Sequence, residues 1–99
     1  MSAIAELSIF PLDQGEHLSG HVAKAVDMIV QSGLPYELGP MGTTFEGEWD
    51  EVLHTVERCM DAVTEDSCRV YLLLKVDYRS GAEKRMKRKV ESVLSKIKD

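Results

Sequence analysis

Apolar and polar residues alternate along residues 3–10, with Ala5, Leu7 and Ile9 on one side and Ile4, Glu6, Ser8 and Phe10 on the other. A period of two marks a β-strand, and the apolar members of the second set predict that this face is not left wholly to solvent. Pro11 and the cluster Asp13-Gln14-Gly15 end the strand. After Ser19 the period lengthens: Val22, Ala25, Val26, Ile29 and Val30 recur at helical spacing, and Gly33 and Pro35 stop the helix. Two short β-prone runs, residues 36–38 and 43–46, flank Gly39-Pro40-Met41-Gly42, which suits a tight reversal and predicts a hairpin. A second helix follows Gly47 and ends near Asp66, with Val52, Val56, Cys59, Met60 and Val63 as its buried stripe. Its acidic residues cluster in the first turn, where the helix dipole favours them. Residues 69–78 form the longest β-prone run: Val70, Leu72, Leu74 and Val76 make one apolar face, and Tyr71, Leu73, Lys75 and Asp77 a mixed one. Finally, Ser80 and Glu83 have capping-box spacing ahead of a third helix carrying Met86, Val90, Val93, Leu94 and Ile97.

The resulting order, β-α-β-β-α-β-α, is that of an α+β fold: a ferredoxin-like split β-α-β arrangement with a four-stranded antiparallel sheet and one additional C-terminal helix. At 99 residues the chain has room for one core, so a single domain over 1–99 is expected. Two helices cover one face of the sheet. The other face exposes Ile4, Phe10, Tyr71 and Leu73 around Glu6, Ser8, Lys75 and Asp77, more apolar surface than solvent normally meets. A second copy of the chain is expected to cover it, leaving small polar-lined spaces at the edges as ligand sites.

Charge is unevenly distributed. The net −5 divides into −9 over residues 1–81 and +4 over residues 82–99, so the last helix is the only basic element. Its run Lys84-Arg85-Met86-Lys87-Arg88-Lys89 has no interleaved aromatics and is attached to an acidic body, which argues against nucleic acid and for a charged surface able to pair with acidic residues of a neighbouring subunit. Cys59 and Cys68 have no Cys-x-x-Cys spacing and read as reduced thiols. With neither a signal-peptide pattern nor an apolar run long enough for a membrane span, a cytoplasmic location is expected.

Catalytic constellations are weak. His17 and His21 have metal-compatible spacing but lack a third ligand nearby, and His54 reads as structural. Ser8, His54 and Asp77 make a triad only on paper, without a nucleophile elbow. The glycine-rich turn lacks the Gly-Lys-Ser/Thr ending of a phosphate loop. A non-enzymatic protein without cofactor or metal is therefore expected. The sheet residues Glu6, Ser8, Thr43, Thr44 and Glu46 fit structural pairing and ligand binding equally well, because carboxylates near a buried face need partners of some kind.

Residues 4–12 (IAELSIFPL) and 36–52 (YELGPMGTTFEGEWDEV) resemble the signature stretches of the thiamine-binding protein family, and the likeness extends over nearly the whole chain. The resemblance implies a ferredoxin-like domain that forms homodimers and homotetramers through its sheets, with some members binding thiamine or its hydroxymethylpyrimidine half. It places the ligand role on Thr43, Thr44 and Glu46, joined by Tyr36, Glu6 and Ser8. A carboxylate such as Glu46 suits the exocyclic amine of an aminopyrimidine, and Trp49 or Tyr36 suits stacking on the ring. The expectation is sequestration, delivery or sensing of thiamine or a related pyrimidine. The alternatives are a homo-oligomeric interaction subunit that contacts another protein through its sheet face or basic helix, and an enzyme acting on a small heterocycle.

Overall fold

Strand β1 (Ser2–Pro11) lies second from one edge of the sheet and is the element on which the others are assembled. The computed structural model describes residues 2–81 and 85–97. Along that chain follow α1 (Ser19–Gln31), β2 (Tyr36–Leu38), β3 (Thr43–Gly47), α2 (Trp49–Thr64), β4 (Val70–Arg79) and α3 (Arg85–Leu94). The sheet order is β2-β3-β1-β4 with every neighbouring pair antiparallel, which is the ferredoxin-like arrangement expected from the sequence. Glu83, half of the capping box read ahead of α3, lies outside the described residues.

Local chemistry explains the element ends. Gly33 takes a φ of +77° directly after α1, a left-handed closing position that glycine occupies without steric cost. At the start of α2 the Glu48 N–H donates to the Glu51 carboxylate at 2.9 Å, and Asp50 and Glu51 lie in the first turn.

One face of β1 forms the floor of the core. Ala3, Ala5, Leu7 and Ile9 are buried beneath α1 and α2, together with Phe45 of β3, Ala25 and Ile29 of α1, and Val52, Cys59 and Val63 of α2. Burying side chains of the Val, Ile or Phe class stabilises by roughly 1.5–3 kcal/mol each. The Cys59 thiol donates to the Ala25 carbonyl at 3.3 Å, linking the two helices, and burial pushes that thiol up to about 11.

The second face differs from the sequence reading at one end. Ile4 is 8% exposed rather than open, because α3 begins over this end of the sheet, where Arg85 and Met86 are themselves buried. Towards the other end the expected exposure holds: Tyr71 and Leu73 are about half exposed, and Phe10 stacks on Tyr71 with ring centroids 5.4 Å apart. Further along α3, Val90, Val93 and Leu94, and Ile97 beyond its end, are all more than half exposed. Among the described residues no helix is long and apolar enough to cross a membrane.

Candidate functional site

Pairing register sorts the seven candidate residues onto different surfaces. Glu6 lies opposite Thr44 and Lys75, Ser8 opposite Leu73, and Glu46 opposite Ile4, so Glu6, Ser8, Thr44 and Glu46 belong to the face turned away from α1 and α2. Thr43 and Tyr36 pair with Leu7 and Phe45 on the helix-covered side. Trp49 opens α2 and meets Tyr78 edge-on, with centroids 6.2 Å apart. The seven residues therefore do not converge on one point.

Glu46 already has partners. One carboxylate oxygen accepts from the Ser2 hydroxyl at 2.6 Å and the Arg85 N–H at 2.8 Å, and the other accepts from the Met86 N–H at 3.1 Å. A carboxylate receiving the first N–H groups of a helix satisfies orphan donors and complements the helix dipole. Burial alone would raise this carboxyl, but the hydrogen bonds from Arg85, Ser2 and Met86, with the Arg85 charge, outweigh it and hold the group below the usual glutamate range. The buried Arg85 guanidinium completes the attachment by donating to the carbonyls of Ser2 at 3.0 Å and Asp77 at 2.8 Å. The Asp77 carboxylate pairs with both Lys89 and Arg85, so part of the basic charge read from the sequence is neutralised within the chain.

A different place has the shape of a binding site. Strand β1 pairs with β4 along its whole length, from Ser2 opposite Arg79 to Pro11 opposite Val70, whereas its pairing with β3 ends at Leu7 opposite Thr43. Beyond Leu7 the chain of the hairpin turns back on itself, with the Gly39 N–H donating to the Gly42 carbonyl at 2.9 Å. Residues 8–10 consequently present a strand edge with no strand against it, and the gap is roofed by α1. The result is a cavity of about 280 Å³. Leu7, Ser8, Ile9 and Phe10 form one wall. Leu18, Val22, Ala25 and Val26 of α1 form the second, and residues 38–43 the third. Gly42 is needed for the close fit: a Cβ there would lie 3.1 Å from the Leu7 carbonyl oxygen.

Of the candidate residues, only Ser8 and Thr43 line this cavity. Glu6 sits at its margin, since a Cβ on Gly42 would come within 3.3 Å of the Glu6 side chain, and Glu6 pairs with Lys75 at 2.9 Å. Sequence reasoning missed Val22 and Val26 because their helical spacing reads as packing against the sheet. The signal that was available is the mismatch between a ten-residue β1 and a five-residue β3.

Other chemically suggestive groups lie elsewhere. Cys68 donates to the Asp13 carboxylate from both its N–H and its thiol, at 2.9 and 3.1 Å, and this contact holds the thiol above its usual range. His17 and His54 are exposed. Among the described residues no group of three or more His, Cys, Asp or Glu side chains could hold a metal ion.

The family model of thiamine-binding proteins matches residues 5–94. The chain belongs to the thiamine-binding protein family. Among relatives, protein MJ1052 of Methanocaldococcus jannaschii is 36% identical over 91% of this chain and 90% of its own, and a protein of Methanothermobacter thermautotrophicus is 41% identical over 94% of this chain and 97% of its own. The crystal structure of MJ1052 superposes with a TM-score of 0.86 at 35% identity, covering 93% of this chain and 95% of that one. A Thermotoga maritima protein whose name connects it with thiamine biosynthesis or salvage superposes with a TM-score of 0.83 at 26% identity, covering 94% of this chain and 99% of that one. The thiamine-binding family match spans all three walls of the cavity.

The Glu46 attachment yields a direct expectation. Its folded-state carboxyl is depressed, so its contribution is complete above the ordinary glutamate value of 4.5 and is lost as pH falls below it. Glu46→Gln removes charge-assisted hydrogen bonds worth about 1.5–3 kcal/mol. Amide exchange at Arg85 and Met86 is expected to accelerate on the order of tenfold or more at neutral pH and to lose its acid dependence; unchanged protection would contradict this role.

Proposed function

We propose that this chain binds thiamine, or its hydroxymethylpyrimidine half, in the cavity between α1, β1 and the β2–β3 turn, and does so without transforming it. The observation that carries the reading is the unpaired edge of β1 over residues 8–10, facing a roofed cavity that Ser8 and Thr43 also line. An aminopyrimidine has an amine donor and ring-nitrogen acceptors along one edge. A strand edge offers the complementary row of carbonyls and N–H groups, and desolvation by the apolar walls strengthens each bond formed. The apolar faces of the ring suit Val22 and Val26.

Size favours the pyrimidine as the part recognised. At about 280 Å³ the cavity is just below the roughly 300–1,000 Å³ of ordinary ligand sites, enough for one substituted ring with the thiazolium at the mouth. The family match and the Thermotoga maritima neighbour support thiamine as the ligand class. Glu46 enters this reading as the anchor of α3 rather than as the amine acceptor. The role is sequestration or delivery in the cytoplasm, where the two unbridged thiols would remain reduced.

Self-association through the sheet is the second part of the proposal. Phe10, Tyr71 and Leu73 form an apolar strip on the open face, and β4 is a ten-residue edge strand, a combination that favours a second copy. The same strip would serve another protein if the chain were instead an interaction subunit.

Two measurements test these statements. In titration calorimetry thiamine and hydroxymethylpyrimidine are expected to bind saturably, Thr43→Val to weaken binding several-fold, and Val26→Phe to weaken it by about tenfold or more with the melting temperature preserved. Undiminished affinity in Val26→Phe would remove the cavity as the site. In sedimentation velocity the chain is expected to run as a dimer or larger, and Leu73→Glu to run smaller; a monomeric parent protein would refute the self-association.

A further inference from the structure

We propose that the cavity selects the unphosphorylated ligand and discriminates against its phosphate esters. This rests on the thiamine reading above and concerns which chemical form that site accepts. Among the described residues no side chain lining the cavity is ionisable; its polar side chains are those of Ser8 and Thr43. A phosphate-accepting site needs cations or free converging N–H groups at a helix start to replace the water that an ester strips from its oxygens. At the start of α1, which lines the cavity, the His21 and Val22 N–H groups already donate to the Leu18 carbonyl.

None of the described cations lines the cavity, and Lys75, which is nearest its margin, is already paired with Glu6. Lys24 pairs with Asp66, and Arg58 donates to Gln31. Arg69 precedes β4, on the side of β1 opposite the gap, and Arg79 sits at the far end of β4, across from Ser2. Basic helix α3 begins over Ser2 and Ile4, where Arg85 is engaged with Ser2 and Asp77. From Ile4 to Phe10 the strand rises about 20 Å at roughly 3.3 Å per residue. That is about two screening lengths at 0.1 M salt, so the start of α3 offers the residues 8–10 end of the strand little attraction.

The surrounding field is unfavourable to an anion. Residues 1–81 hold five Lys/Arg and fourteen Asp/Glu, and a phosphoryl group brings about −1.5 to −2 at neutral pH. The thiazolium carries a positive charge that this field attracts, and esterification of its hydroxyethyl arm reverses the sign at the mouth. With the pyrimidine occupying a cavity of about 280 Å³, the phosphates project outward and gain no compensating partner.

The test is titration calorimetry of the unmodified protein at about 0.1 M salt with hydroxymethylpyrimidine, thiamine and thiamine diphosphate in separate runs. The expected result is binding of the first two, with the diphosphate at least about tenfold weaker than thiamine. Diphosphate binding as tight as thiamine or tighter, with thiamine still bound, overturns the selectivity and leaves the ligand reading standing. Failure of both thiamine and hydroxymethylpyrimidine to bind removes the ligand reading and the selectivity with it.

Discussion

Strand β1 is covered on both faces at one end and left unpaired along one edge at the other, and this asymmetry organises the molecule. Its ten residues all find partners on β4, but β3 supplies only five. Over Ala3 to Leu7 the backbone is saturated on both sides, and small side chains allow α2 to pack across the strand. Past Leu7 one row of backbone groups has lost its strand, and buried groups of this kind demand partners. The β2–β3 turn closes on itself instead of on β1, and α1 spans the remaining gap. The cavity is therefore a product of strand lengths, with Gly42 allowing the turn to approach Leu7.

The opposite end of β1 holds the structural machinery. Ser2, Glu46, Asp77 and Arg85 interlock there, joining β1, β3, β4 and α3 through charge-assisted hydrogen bonds. Putting the charged network at one end of the strand and the uncharged cavity at the other separates the carboxylate that fixes α3 from the groups available to a ligand. It also starts the basic helix where part of its charge is neutralised by Asp77.

Much of the fold was legible because period and punctuation agree at every element: two-residue alternation in β1 and β4, helical stripes in α1 and α2, and glycines at Gly33, Gly39 and Gly42 where the backbone turns tightly. The faces of β1 also followed from alternation alone. What was not legible depends on contacts distant in sequence. Glu46 reads as a free sheet carboxylate until Arg85 and Met86, about forty residues on, are seen to donate to it. Val22 and Val26 carry the pattern of core residues, and only the missing length of β3 makes them walls of a cavity. Tyr36 and Trp49 entered as ring-stacking candidates from residue type, which says nothing about the side of the sheet on which a side chain falls. Ser8 and Thr43 are the candidates that both readings share.

The most direct test of the central claim is a two-dimensional amide NMR titration of the protein with thiamine, since it reports where the ligand sits residue by residue. Shifts concentrated at Ser8, Ile9, Phe10, Val22, Val26 and the turn from Gly39 to Thr43, saturating together, are the predicted result. Shifts confined to Glu6, Thr44 and Lys75 on the open sheet face, with the turn and α1 silent, would contradict it.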